Sequence, residues 1–192
     1  SVGPQHRTKM PLLLVLLIAV MVLLQTLGEG VVRSFYNVYL DSSLTVPITQ
    51  IGLVMGVAAA IPLVATLAAP ATIARWSSGG AIILASGVMA FSLLFLALFP
   101  SFLAAASGYI CFMLILPTAN IARTLFGQEI VAPEWRTSSS TANAIGISLG
   151  WATASALGGY VIAAFGFGAL FIFGAVMAMT SGLLVFSYLR LR

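Results

Sequence analysis

Long apolar runs separated by short polar segments dominate the chain. A helix needs about 20 consecutive apolar residues to cross the hydrocarbon core of a bilayer. The runs predict an all-α integral membrane protein with helices at residues 10–40, 48–74, 81–99, 102–126, 137–165 and 168–189. A transmembrane β-barrel would instead show short segments of alternating polarity, which these runs lack.

The six predicted transmembrane helices form two groups of three. The first group covers residues 10–99 and the second covers residues 102–189, with only Pro100 and Ser101 between them. Three crossings reverse the direction of the chain, so the second group is inverted relative to the first. Two inverted three-helix repeats are typical of secondary transporters, and they are the predicted fold of residues 10–192.

The composition indicates that the surface of the protein faces lipid rather than water. Hydrophobic residues make up 61% of the 192 residues, and charged residues only 6%. A soluble domain carries about 25% charged residues, because its surface faces water. The net charge of +4 is therefore interpreted as charge in the loops beside a membrane, and no nucleic-acid partner is expected.

The positive charges predict an orientation. In the six-helix arrangement they fall on one side of the membrane, with Arg33 inside a helix as the exception: Arg7, Lys9, Arg75, Arg123, Arg136, Arg190 and Arg192. The positive-inside rule places that side in the cytoplasm. We therefore expect a multi-pass protein of the plasma (inner) membrane with both termini in the cytoplasm. Residues 1–9 are expected to be a cytoplasmic tail or the end of a central cytoplasmic loop.

The first predicted helix carries a narrow polar stripe, and ionisable residues within such helices usually face the interior of a bundle or a water-filled cavity. Its members recur at helical spacing within an arc of about 80°: Gln25, Glu29, Arg33 and Tyr36. Glu29 and Arg33 are four residues apart and suited to an ion pair. One interpretation is a cavity-lining stripe that binds substrate or relays a proton. The alternative is that Arg33 extends to the headgroup region at the end of the helix.

The fifth predicted helix adds two candidate binding residues, Asn143 and Trp151. Three serines lie near them, at positions 140, 148 and 155, and are interpreted as hydrogen-bonding groups between helices. Two Gly-x-x-x-Gly motifs, at 52–56 and 146–150, predict close helix packing.

The sequence lacks the residue combinations that the common types of catalytic site require. The only histidine is His6, outside the predicted helices, and the four acidic residues are scattered. No phosphate-binding loop of the type that ends in Gly-Lys-Ser or Gly-Lys-Thr is present. We therefore expect a protein that is not an enzyme, with no catalytic residues, no cofactor and no metal ion.

Three local features resemble the major facilitator superfamily of transporters. Arg75 and Gly79 resemble part of the family's Gly-x-x-x-Asp-Arg-x-Gly loop, although Ala74 occupies the acidic position. Residues 133–136, Pro-Glu-Trp-Arg, resemble the family's entry to the fifth helix. The glycine-rich segments at 146–150, 158–160 and 165–167 resemble its fifth or eleventh helix. Ala74, together with the lack of arginine in residues 102–122, favours the carboxyl-terminal six-helix half.

The resemblance implies a secondary active transporter, a symporter or antiporter, which moves a small solute by alternating access. The partners it implies are the solute, the lipid bilayer and the other six-helix half, on the same polypeptide or on a second copy. Proton coupling would use Glu29. Two alternatives are a membrane scaffold or assembly protein without transport activity, and a permease subunit served by a separate ATPase.

Overall fold

The computed structural model describes residues 11–191, and within that range the chain forms four long helices joined by short connections. Helix α1 covers Leu12–Val38 and continues as a π-helical segment at Tyr39–Ser43. Helix α2 covers Ile48–Leu98, α3 covers Phe102–Glu129, and α4 covers Arg136–Leu191 after a short 3-10 helix at Pro133–Trp135. All four are long and apolar enough to cross a membrane. The predicted tail at 1–9 lies outside the described residues.

The prediction of six transmembrane helices in two inverted repeats is wrong: the described chain has four long helices. Where the prediction has turns between helices, α2 and α4 each contain one non-helical residue, Ser77 (φ 63°, ψ 170°) and Gly166 (φ 82°, ψ 175°). A single residue at positive φ redirects the backbone without any loop. Helical geometry then resumes at the next residue, so each predicted pair of helices becomes one bent helix.

Helix α4 folds back on itself at Gly166 and contacts α1 from both sides. Before the bend, Gly150 packs against Thr26 of α1. After the bend, Gly174 lies against Gly28, and the Ser181 hydroxyl donates a hydrogen bond of 2.9 Å to the Met21 carbonyl. In a straight helix Gly150 and Gly174 would be about 36 Å apart. Helix α1 is therefore enclosed by both arms of α4.

Helix α3 runs antiparallel to the second arm of α2. Near one end of the pair Gly108 packs against Leu96, and at the other end the Ser78 hydroxyl hydrogen-bonds to the Glu129 carboxylate. Ser101 begins α3 by accepting a hydrogen bond from the Ala104 N–H. This short connection holds α3 beside α2, where α3 also reaches the polar face of α1.

The core is centred on α1, whose polar stripe points inward. The Tyr36 ring stacks on Tyr109 of α3 at a centroid distance of 3.9 Å. Large apolar side chains on the outside, such as Leu63, Leu67 and Phe165, are exposed. An apolar exterior around a core that contains charged residues is the arrangement expected of a protein in lipid.

Candidate substrate-binding site

The polar stripe of α1 lies in the interior of the bundle. Gln25 and Tyr36 are fully buried, and Glu29 is 3% exposed. A buried charge is strongly unfavourable unless another charged or hydrogen-bonding group compensates it. The partners of Glu29 therefore define the site.

Glu29 pairs with two arginines. One carboxylate oxygen lies 3.2 Å from the Arg33 guanidinium, one helical turn along α1. The other lies 3.6 Å from the guanidinium of Arg123 on α3. Arg123 is 5% exposed and also donates a 3.3 Å hydrogen bond to the Thr26 hydroxyl. The carboxylate thus joins α1 to α3 deep in the bundle.

Arg123 is a site residue that was not predicted from the sequence, where its charge counts among those of the cytoplasmic loops. The structure places it within α3, about six residues before the end of that helix. The signal was present, because the helix predicted at 102–126 already includes position 123. An ionisable residue within a predicted transmembrane helix is a candidate functional residue in its own right.

Arg33 occupies the open side of the site. Its side chain is 46% exposed, and its guanidinium lies over the Trp151 ring of α4 at 5.2 Å from the centroid. It borders a cavity of about 390 Å³ between α2 and α3. The other bordering residues are Pro62, Thr66, Leu116, Pro117, Asn120 and Ile121.

The cavity lies well inside the helices. Pro62 is about 21 Å along the helix axis from the start of α2 at Ile48. Pro117 is about 22 Å from the start of α3 at Phe102, close to the middle of that helix. Arg33 itself is about 15 Å before the end of the helical segment at Ser43. This depth favours a cavity-facing role of Arg33 over extension to the headgroups.

The remaining predicted residues lie at different distances from this cluster. Gln25 is beside Met89, with its amide nitrogen 4.0 Å from the sulfur. Tyr36 stacks on Tyr109, on the far side of Arg33 from Gln25. Asn143 lies one turn before Gly146, and Gly146 packs against Ala19 of α1. Ala19 is about 15 Å from Glu29 along the axis of α1, so the backbone of Asn143 is at least about that far from the backbone of Glu29. The structure thus groups Glu29, Arg33 and Trp151 with Arg123, and leaves Asn143 apart.

The cluster contains two guanidinium groups and one carboxylate, which can bind a ligand by charge and by hydrogen bonds. Within residues 11–191 no group of His, Cys, Asp and Glu side chains could hold a metal ion. A larger cavity of about 460 Å³ lies between α1 and α4, but it is lined mainly by aliphatic residues such as Leu12, Leu16 and Ile145, without a charged side chain. The cavity at Arg33 is therefore the candidate site.

Comparison with known proteins assigns no relatives to this chain. No family model matches it, no curated protein matches it, and no solved structure matches it.

Proposed function

We propose that this chain forms the substrate-binding unit of a secondary transporter, which moves a small solute across a membrane by alternating access. The observation that carries the proposal is the Glu29–Arg33–Arg123 cluster, which is buried on one side and opens at Arg33 into a cavity. The cavity lies near the middle of α3 and near the middle of the part of α2 that precedes Ser77. Substrate sites of secondary transporters lie near the midplane of the bilayer.

The energetic cost of these charges supports a functional role. Three ionised side chains within apolar helices are less favourable than a well-packed apolar core of the same volume. A structural bridge needs only Glu29 and Arg123, whereas Arg33 is half exposed to a cavity. The exposed charge of Arg33 therefore favours the binding of a solute.

The helices beside the cavity contain sites at which they can bend. Pro62 and Pro117 both border it, and proline interrupts the backbone hydrogen bonds of a helix. The non-helical residues Ser77 and Gly166 lie farther along α2 and α4. Bending at such points would expose the cavity to one side of the membrane and then to the other.

The major facilitator resemblance is part of this proposal, as is the orientation with both termini in the cytoplasm. Arg136 and Arg190, near the two ends of α4, and Arg75, beside the bend in α2, support that orientation. The scaffold alternative is less favoured, because a scaffold has no need of a charged cavity. A permease subunit would need a coupling helix in segment 127–136. Apart from the end of α3 and the start of α4, that segment holds only the short 3-10 helix at Pro133–Trp135.

Transport by the purified protein, expressed from its complete reading frame and reconstituted in liposomes, tests the proposal. We expect uptake of at least one member of a panel of labelled anionic, cationic and neutral solutes under an imposed pH gradient. Arg33→Gln and Glu29→Gln should each abolish that uptake. Arg190→Gln is the matched control, because Arg190 also lies over an aromatic ring, that of Phe186, but at the end of α4. Absence of uptake for the whole panel, or full uptake by Arg33→Gln, would reject the transporter.

A further inference from the structure

We infer that the transported solute is a small carboxylate with an apolar carbon body, which binds to the guanidinium of Arg33 in the cavity between α2 and α3. This inference rests on the proposed function and specifies its substrate class. It is carried by the charge balance of the cluster, the unused donors of Arg33 and the walls of the cavity.

The cluster contains two guanidinium groups and one carboxylate, which leaves a net charge of +1. Arg123 is buried against Glu29 and Thr26, so the charge that faces the cavity is that of Arg33. The other residues that border the cavity are Pro, Thr, Leu, Asn and Ile, and none is ionisable. An anion that enters the cavity would balance the charge.

The orientation of Arg33 suits a carboxylate. A guanidinium has five N–H donors in a planar fork that matches two carboxylate oxygens. One terminal nitrogen of Arg33 is 3.2 Å from Glu29, and Trp151 covers one face of the group. These two contacts hold the fork in place and leave its other donors for a ligand.

The cavity walls define the rest of the ligand. Asn120 borders the cavity, and its buried side-chain oxygen has no hydrogen-bond partner among residues 11–191. The Thr66 hydroxyl already donates to the Pro62 carbonyl, over 2.6 Å. The remaining walls are proline, leucine and isoleucine. A cavity of about 390 Å³ with this lining fits a compact molecule with one charged end and an apolar body.

Fluorescence of Trp151 offers a binding assay that does not require transport. A protein with Trp76→Phe and Trp135→Phe keeps Trp151 as its only tryptophan. It would be titrated with butyrate and benzoate, with the uncharged butyramide and benzamide, and with inorganic phosphate, in phosphatidylcholine nanodiscs. We expect a saturable change with at least one carboxylate and a much weaker response to its amide.

Substitutions at Arg33 identify the binding group. Arg33→Gln should weaken carboxylate binding by about tenfold or more, because a charge-assisted hydrogen bond is lost. Arg33→Lys should weaken it less, since the charge remains but the fork does not. Arg190→Gln should leave the affinity unchanged. Equal binding of acid and amide, or no response to either carboxylate, would overturn the inference.

The outcomes separate this inference from the transporter proposal. Uptake of a neutral or cationic solute in liposomes, without carboxylate binding, rejects the inference and keeps the transporter. Carboxylate binding without uptake of any solute rejects the transporter and leaves Arg33 as the centre of a carboxylate-binding site. A Trp151 response only to phosphate, or one produced by phosphatidylglycerol nanodiscs alone, would identify a phosphate or lipid headgroup and overturn the carboxylate assignment.

Discussion

The carboxylate of Glu29 on α1 lies 3.6 Å from the guanidinium of Arg123 on α3, and both side chains are buried. The two residues are far apart in the sequence, and each charge would be poorly compensated in the interior of the bundle without the other. A shift of α3 relative to α1 would separate the two ions, so the position of α3 against α1 determines whether their charges compensate each other.

Loss of the charge of Glu29, Arg123 or Arg33 should lower the stability of the protein by different amounts. Glu29→Gln leaves Arg123 buried with only the Thr26 hydroxyl, and we expect a loss of about 3–5 kcal/mol. Arg123→Gln should cost less, because Glu29 keeps Arg33 as its partner. Arg33→Gln should cost no more than about 1 kcal/mol, since that side chain is half exposed. Chemical unfolding in detergent micelles measures all three.

The double variant Glu29→Gln with Arg123→Gln supplies the internal control. It removes both buried charges, so it should be more stable than Glu29→Gln alone. If Glu29→Gln and Arg123→Gln were each as stable as the unsubstituted protein, the ion pair would contribute nothing to the stability of the bundle.

The two Gly-x-x-x-Gly motifs should respond differently to alanine. A Cβ added at Gly146 would lie 2.8 Å from the Ala19 carbonyl oxygen of α1, whereas a Cβ at Gly56 meets no atom within 4 Å in the described part of the chain. Gly146→Ala should therefore lower stability by about 1–3 kcal/mol through overpacking. Gly56→Ala should be neutral or slightly stabilising, because alanine favours the helix. A thermal shift assay on the two variants tests this, and equal shifts would contradict the packing of α1 on α4.

The bends in α2 and α4 should prefer glycine. Ser77 has φ 63° and ψ 170°, a conformation that glycine adopts more readily than serine. Ser77→Gly should stabilise the protein by about 1 kcal/mol, reduced by loss of the 3.3 Å hydrogen bond that the serine oxygen accepts from the Gly80 N–H. Ser77→Ala keeps the strain and loses that bond, so it should destabilise. Gly166→Ser should cost about 1–3 kcal/mol, and a stable Gly166→Ser protein would exclude the bend.

Cysteine labelling tests the proposed orientation, in which the bends at Ser77 and Gly166 return α2 and α4 to the sides of the membrane at which they begin. After Cys111 is replaced, single cysteines at Ser101 and Phe165 should react with an impermeant thiol reagent added to intact cells. Cysteines at Trp76 and Thr137 should react only after the membrane is permeabilised. All four positions are exposed, so accessibility within the fold does not limit the reaction. The opposite pattern would reverse the orientation, with Arg75, Arg136 and Arg190 outside.

The sequence by itself determined the membrane character of the protein and most of its helical segments, since both follow from the length and polarity of local runs. It also singled out Glu29 and Arg33, because charged residues stand out within an apolar helix. It did not determine the number of separate helices. Whether Ser77 and Gly166 make a bend or a loop depends on two backbone angles, and the same small residues are compatible with either.

Only the tertiary structure decided which helices meet at the site. The partnership of Glu29 with Arg123, and of Arg33 with Trp151, depends on how α1 lies against α3 and α4. Nothing in the spacing of these residues along the chain encodes that arrangement. Local periodicity specifies which face of a helix is polar, whereas the partner of that face is determined by the packing of the whole bundle. Arg123 lies within the helix predicted at 102–126, but only the packing of that helix against α1 makes it the partner of Glu29.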